Sequence, residues 1–289
     1  MTAEQPTDGN PASTRLPGTN IELLTDELPC GKFKAVLFDF DGTLSLIRAG
    51  WQDVMIPMLT DILAQYRRDG ETREDIHLLV KEFVTDTTGK QTIYQMIGLC
   101  EEIKKRGGQP KAPLEYKHQY LQLLWDKIKE RVASLENGDT DPEQMLVPGS
   151  RQLLEAFQSR GLVMYVASGT DRPYVLREVR ALQLQDFFGD RLYGAIDNYK
   201  EFSKELLIND ILTTNNLSGN QLLCFGDGYV EIESTKRAGG TAVGVASTET
   251  NIGELNQWKR QRLIAAGADL IVPDLRDYNS LIAYLCGDV

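Results

Sequence analysis

Two aspartates stand two residues apart at the end of the apolar run Val36-Leu37-Phe38-Asp39-Phe40-Asp41-Gly42-Thr43. The β-branched and aromatic residues before them read as a buried strand, which Gly42-Thr43 breaks. Side chains alternate along a strand, so Asp39 and Asp41 leave it on the same side. Two carboxyls this close disfavour each other's ionisation, and one tends to keep its proton unless a cation intervenes. An ionised carboxylate beside a carboxylic acid, with room for a divalent metal, makes a nucleophile next to a general acid. The plain alternative is a β-turn whose Asp-Gly happens to follow a strand.

Three further stretches carry groups of the same usefulness. The apolar run Leu162–Ala167 stops at Ser168-Gly169-Thr170. The Ser168 hydroxyl and the N–H groups after it suit a phosphoryl oxygen, although a serine there can equally cap a helix. Leu222-Leu223-Cys224-Phe225 ends at Gly226-Asp227-Gly228, and Glu231 follows in the first turn of the next helix. Hard oxygen ligands of this kind are what Mg²⁺ prefers. Ser203 reads as the N-cap of a helix whose first turn holds Lys204. A cation there opposes the helix dipole, which makes sense if its ammonium reaches an anion or a carboxylate pair. Lys200, in the loop before it, is the competing candidate.

These groups need a scaffold that gathers them. Strands alternating with helices from Val147 onward imply βαβ units and a parallel sheet covered on both faces. In such a sheet the carboxyl ends of the strands share one edge, where ligands bind. The expected fold class is therefore α/β, a Rossmann-like doubly wound parallel sheet. Between the first strand and Val147 the spacing turns helical, with helices expected at 49–68, 73–86, 90–106 and 114–136. The expected organisation is a tail and lead-in over 1–30, an α/β core over 31–46 and 147–289, and an inserted all-helical domain over 47–146. Residues 1–20, rich in Pro, Thr, Gly and Asn, read as a mobile tail.

The net charge of −11 argues against a nucleic-acid surface. An acidic enzyme that handles anionic substrates needs a local cationic device, such as a metal ion and one or two lysines. No apolar run reaches the length of a membrane span, and the N-terminus lacks the layout of a signal peptide. The cysteines at 30, 100, 224 and 286 form no close pair. A cytoplasmic protein without nucleic-acid or membrane partners is expected.

The order FDFDGT, ASGT, a lysine opening a helix and then FGDGYVE resembles the haloacid dehalogenase superfamily of phosphotransferases, over about residues 33–289. The resemblance implies Asp39 as the nucleophile that becomes an aspartyl-phosphate and Asp41 as general acid and base. It implies Ser168 on the phosphate, Lys204 as the charge-balancing cation, and Mg²⁺ on Asp39, Asp227 and the Asp41 carbonyl. Many relatives carry an aspartate where this chain has Glu231, and the longer arm favours a water-bridged role at the metal. The helical insertion resembles the mobile C1-type cap of the phosphoglycolate phosphatase and β-phosphoglucomutase branch. Gly42, Thr43 and Gly169 are expected at the substrate, together with Arg48 and Trp51 at the mouth of the pocket and Lys90 in the turn Thr88-Gly89-Lys90.

The implied function is a Mg²⁺-dependent phosphomonoesterase for a small phosphorylated metabolite, a sugar or polyol phosphate by preference. A phosphomutase, or a catalytically silent binding protein of the same fold, is the alternative. A dinucleotide site at Gly226-x-Gly228 is disfavoured, because Glu231 replaces the third glycine and two acids would face a pyrophosphate.

Overall fold

The computed structural model describes residues 14–25, 28–249 and 251–287. Eight strands form one sheet: β1 (Thr14–Arg15), β2 (Glu22–Leu23), β3 (Ala35–Phe38), β4 (Val163–Asp171), β5 (Leu192–Ala195), β6 (Leu222–Gly226), β7 (Thr241–Val245) and β8 (Leu270–Val272). Their order is β1-β2-β8-β7-β6-β3-β4-β5. The strands from β3 to β8 run parallel, and β1 and β2 add an antiparallel edge.

Within the tail expected for residues 1–20, Thr14 and Arg15 pair with Leu23 and Glu22 of the lead-in, and residues 1–13 lie outside the described residues. Ile21 is buried, Glu22 and Leu23 pair with β8, and Arg260 forks onto the Glu22 carboxylate at 2.7–3.0 Å. Composition missed this because a few apolar residues, Leu16, Ile21, Leu23 and Leu24, and an ion pair suffice when a sheet edge is waiting to be paired.

The four residues of β3 explain the two-faced packing. Val36 and Phe38 point to one side, where Phe38 meets Phe157, Phe188 and Phe225 at ring distances of 5.1–6.3 Å. That face is covered by α5 (Ser150–Ser159), α6 (Arg172–Ala181), α7 (Gln185–Phe188) and α11 (Tyr278–Cys286). Ala35 and Leu37 point to the other side, against Leu207, Ile208 and Ile211 of α8 (Lys204–Thr214). On that side α9 (Tyr229–Arg237) and α10 (Gln257–Ala265) bury Ile232 and Leu263. A strand apolar on both faces belongs between two helical layers.

Between β3 and β4 lie α1 (Gln52–Ala64), α2 (Arg73–Asp86), α3 (Ile93–Lys105) and α4 (Pro113–Glu136). Tyr116, Tyr120, Leu124, Ile128, Val132 and Leu135 recur every three or four residues on α4 and form its buried stripe. Ile76, Val80 and Val84 do the same on α2, which Thr72 and Asp75 start with a reciprocal cap. The helices fall within a few residues of the expected spans, with α3 starting at Ile93 rather than at 90. Lys90 therefore sits in the turn before that helix and not in its first turn.

Candidate active site

Strand register assembles the site. Phe38 pairs with Val166 of β4 and with Phe225 of β6. Asp39, one residue beyond Phe38, thus lies beside Ala167 and Gly226, and Ser168 and Asp227 come one residue later on each neighbour. The Asp39 N–H still donates to the Phe225 carbonyl, at 2.8 Å, so the nucleophile candidate stays on the ladder.

The Asp39 carboxylate is buried and accepts from the Lys204 ammonium at 2.8 Å. The same ammonium donates to Glu231 at 2.7 Å. Lys200, the competing lysine, is exposed. Ser203 caps α8 by accepting from the Leu206 N–H, which points the next side chain into the sheet edge. Burial pushes the Asp39 and Glu231 carboxyls above their ordinary range against the pull of Lys204. The two carboxylates hold the Lys204 proton in turn, although burial opposes its charge. Glu231 and Asp227 add to the rise at Asp39, so a further cation at this cluster would favour the ionised carboxylates.

Asp227 completes that arrangement. Oxygens of Asp39, Asp227 and Glu231 all lie within 4.8 Å of one another. The donor set is entirely carboxylate, with neither histidine nor cysteine, and fits a hard cation such as Mg²⁺. Glu231 already accepts from the Gly228 N–H at 2.6 Å with its other oxygen, so both of its oxygens are engaged.

Asp41 takes a different set of partners. Its Oδ2 accepts from the Ser168 hydroxyl at 3.1 Å and the Thr170 hydroxyl at 2.9 Å. Its Oδ1 is buried without a hydrogen bond, 3.7 Å from Arg48 Nε. Ser168 also accepts from the Thr170 N–H at 3.0 Å, so in this structure its hydroxyl serves Asp41. Arg48 is held from behind by Glu178, which is fully buried.

A cavity of about 110 Å³ opens over these groups. Asp39, Asp41, Gly169, Thr170, Lys204 and Asp227 form its floor. Arg48, Trp51, Lys90, Gln95 and Tyr120 contribute walls from the insertion and the segment leading into it. Arg48, expected at the mouth, is instead buried against Asp41 and Glu178. The Lys90 ammonium lies about 6 Å from the ring centres of Tyr94 and Tyr229. Gly42 and Thr43, expected at the substrate, do not border this cavity. Gly42 turns the chain at φ +77°, and a Cβ there would strike Asp227 Oδ2 at 2.2 Å. Thr43 is packed inside the loop.

Sequence reasoning missed Thr170, Glu178 and Lys259. Thr170 follows Ser168 by two residues along β4 and could have been found by strand alternation. Lys259, on α10, contacts Asp227 Oδ2 at 2.7 Å. Nothing local marks it or Glu178, since both reach the site only through helix packing.

Residues 33–239 match the family model of haloacid dehalogenase-like hydrolases. No curated protein matches the sequence. Among solved structures, a predicted phosphoglycolate phosphatase from Haemophilus somnus has a TM-score of 0.56 at 16% identity, covering 86% of this chain and 98% of its own. A β-phosphoglucomutase from Clostridium difficile also reaches 0.56, at 13% identity and with 87% and 99% covered. A haloacid dehalogenase family hydrolase from Deinococcus radiodurans, with bound phosphate and sodium, reaches 0.52 at 16% identity, with 89% and 97% covered. At these identities the likeness is one of fold, and the family model spans most of the chain. This chain belongs to the haloacid dehalogenase-like hydrolases.

Proposed function

We propose that this hydrolase is a Mg²⁺-dependent phosphomonoesterase acting on a small phosphorylated metabolite through an aspartyl-phosphate on Asp39. The observation that carries this reading is the placement of Asp39 between Lys204, 2.8 Å away, and an acid, Asp41, that is separately held by two hydroxyls. Asp39 attacks phosphorus, and Asp41 gives its proton to the leaving alcohol. Asp41 then takes a proton from the water that cleaves the acyl-phosphate, which returns both groups to their starting states. Gly169 and Thr170 border the cavity and their backbone would receive phosphoryl oxygens, whose charge Lys204 would balance. Asp39, Asp227 and Glu231 would hold the metal, whose charge favours binding of a phosphate dianion.

In this reading residues 47–146 act as a cap that encloses the substrate. Contacts from the insertion to the catalytic loops support it: Gln91 donates to the Tyr199 and Phe202 carbonyls at 3.2 and 2.6 Å, and Gly89 packs on Gly228. A cavity of about 110 Å³ walled by residues of the insertion suits a small phosphate ester, such as that of a sugar or polyol, better than a phosphoprotein. The test is release of phosphate from an aryl phosphate with and without Mg²⁺, followed by a panel of phosphorylated metabolites. Absence of Mg²⁺-dependent hydrolysis across the panel would overturn the proposal.

A further inference from the structure

The site holds a second buried ammonium that the reaction outlined above does not use. Lys259 enters from α10 and is almost fully buried. Its Nζ lies 2.7 Å from Asp227 Oδ2 and 3.4 Å from the Ser247 hydroxyl. Ser247, at the end of β7, donates in turn to the Gly42 carbonyl at 2.5 Å. The chain Gly42–Ser247–Lys259–Asp227 therefore ties together the loops that leave β3, β7 and β6. No other described side chain donates a hydrogen bond to Asp227.

We propose that Lys259 is a positioning residue for the metal site: it fixes Asp227 by one carboxylate oxygen, in register with the Asp39–Asp41 loop, so that the carboxylate faces Asp39 and Glu231. This rests on the metal site proposed above. Without that bond the carboxylate is free to rotate about its side-chain torsions, and each wrong rotamer removes a donor from the cluster. Outer partners that orient metal ligands are worth about 10–100-fold in metal affinity or activity. The ammonium also repels an incoming cation, so the sign of the effect on metal affinity decides between orientation and competition. Lys259 is 8% exposed and linked on both sides, which favours orientation.

The experiment is titration of Mg²⁺ by calorimetry, and of Mn²⁺ by its paramagnetic resonance signal, into the full chain and its Lys259→Met and Lys259→Arg variants. Expected is a metal Kd raised about 10–100-fold in Lys259→Met and largely restored in Lys259→Arg. The Mg²⁺ concentration for half-maximal activity should rise in parallel, with the KM for the phosphate ester little changed. An unchanged or tighter metal Kd in Lys259→Met overturns the proposal. Should that variant fail to fold, Ser247→Ala removes the link between Lys259 and Gly42 without burying a lone charge. It should weaken metal binding in the same direction, and an unchanged Kd there is equally fatal. A wild type that takes up neither ion removes the metal site itself, a result distinct from a wild type and variant that bind alike.

Discussion

Arg48 and Glu178 meet in a buried fork, with Arg48 Nη2 2.7 Å and Nε 3.1 Å from the same carboxylate oxygen, directly behind Asp41. The pair joins the segment entering the helical insertion to α6 of the sheet layer. Glu178 is fully buried, so removing Arg48 takes away the partner that compensates its charge. We predict that Arg48→Met costs about 3–5 kcal/mol of stability in urea denaturation. Replacing both, as Arg48→Met/Glu178→Leu, should recover much of that loss. Equal stabilities for the single and double variants would show that the charge pair is not what the site depends on.

Asp39→Asn should abolish turnover while the fold is retained, because an amide cannot form the acyl-phosphate. Rapid acid quench of the wild type with a labelled substrate should trap label on the protein, and none in the variant. More than trace turnover by a clean preparation of the variant would contradict covalent catalysis.

Asp41→Asn should lose activity according to the leaving group. General acid catalysis is worth roughly 10²–10⁴-fold, and an aryl phosphate hardly needs the proton that an alkyl phosphate requires. The comparison is kcat/KM for both ester types in wild type and variant. Parallel losses would refute proton donation in the first step.

Gly89 has a φ of +95°, and a Cβ there would come within 3.2 Å of the Gly228 Cα. Gly89→Ala should therefore lift the 88–91 turn away from the Asp227 loop. The expected result is a lower kcat/KM for an enclosed substrate, with a stability loss of only about 1 kcal/mol from the strained backbone. A variant with unchanged kcat/KM would mean that this contact does not matter for closure.

Glu249 accepts from the Gly50 N–H at 2.7 Å, and burial raises its carboxyl above the ordinary value of 4.5. A raised folded value means that the native state keeps this proton to higher pH than the unfolded chain does. Its contribution is then fully present below the unfolded value and is lost as pH rises through the folded one. Glu249→Gln keeps an acceptor for Gly50 but cannot ionise. Its melting temperature relative to wild type, measured in chelator, should climb from pH 4 to pH 7. A flat or falling difference would contradict the raised value.

The chemistry of the strand ends was legible in the sequence because it is local. Alternation along the expected strand sets Asp39 and Asp41 on one side, although β3 itself ends at Phe38, and an apolar strand that gives way to polar residues announces the edge where ligands bind. Parallel strands all end on that edge, so Ser168 and Asp227 could be placed beside Asp39 without any tertiary information. The spacing of Ile76, Val80 and Val84, and of the α4 stripe, likewise revealed the inserted helices. Other features needed the packed chain. Lys200 and Lys204 lie four residues apart, one in the loop and one opening α8, and only the seating of α8 on the sheet sends Lys204 to Asp39 and leaves Lys200 in solvent. Glu22 and Leu23 joined the sheet because β8 offered unpaired backbone, which composition cannot report. Glu178 and Lys259 sit on helices whose sequences look like any solvated face. They became parts of the site because a helix rotates its buried side according to the whole surface it covers, and that surface comes from residues far away in the chain.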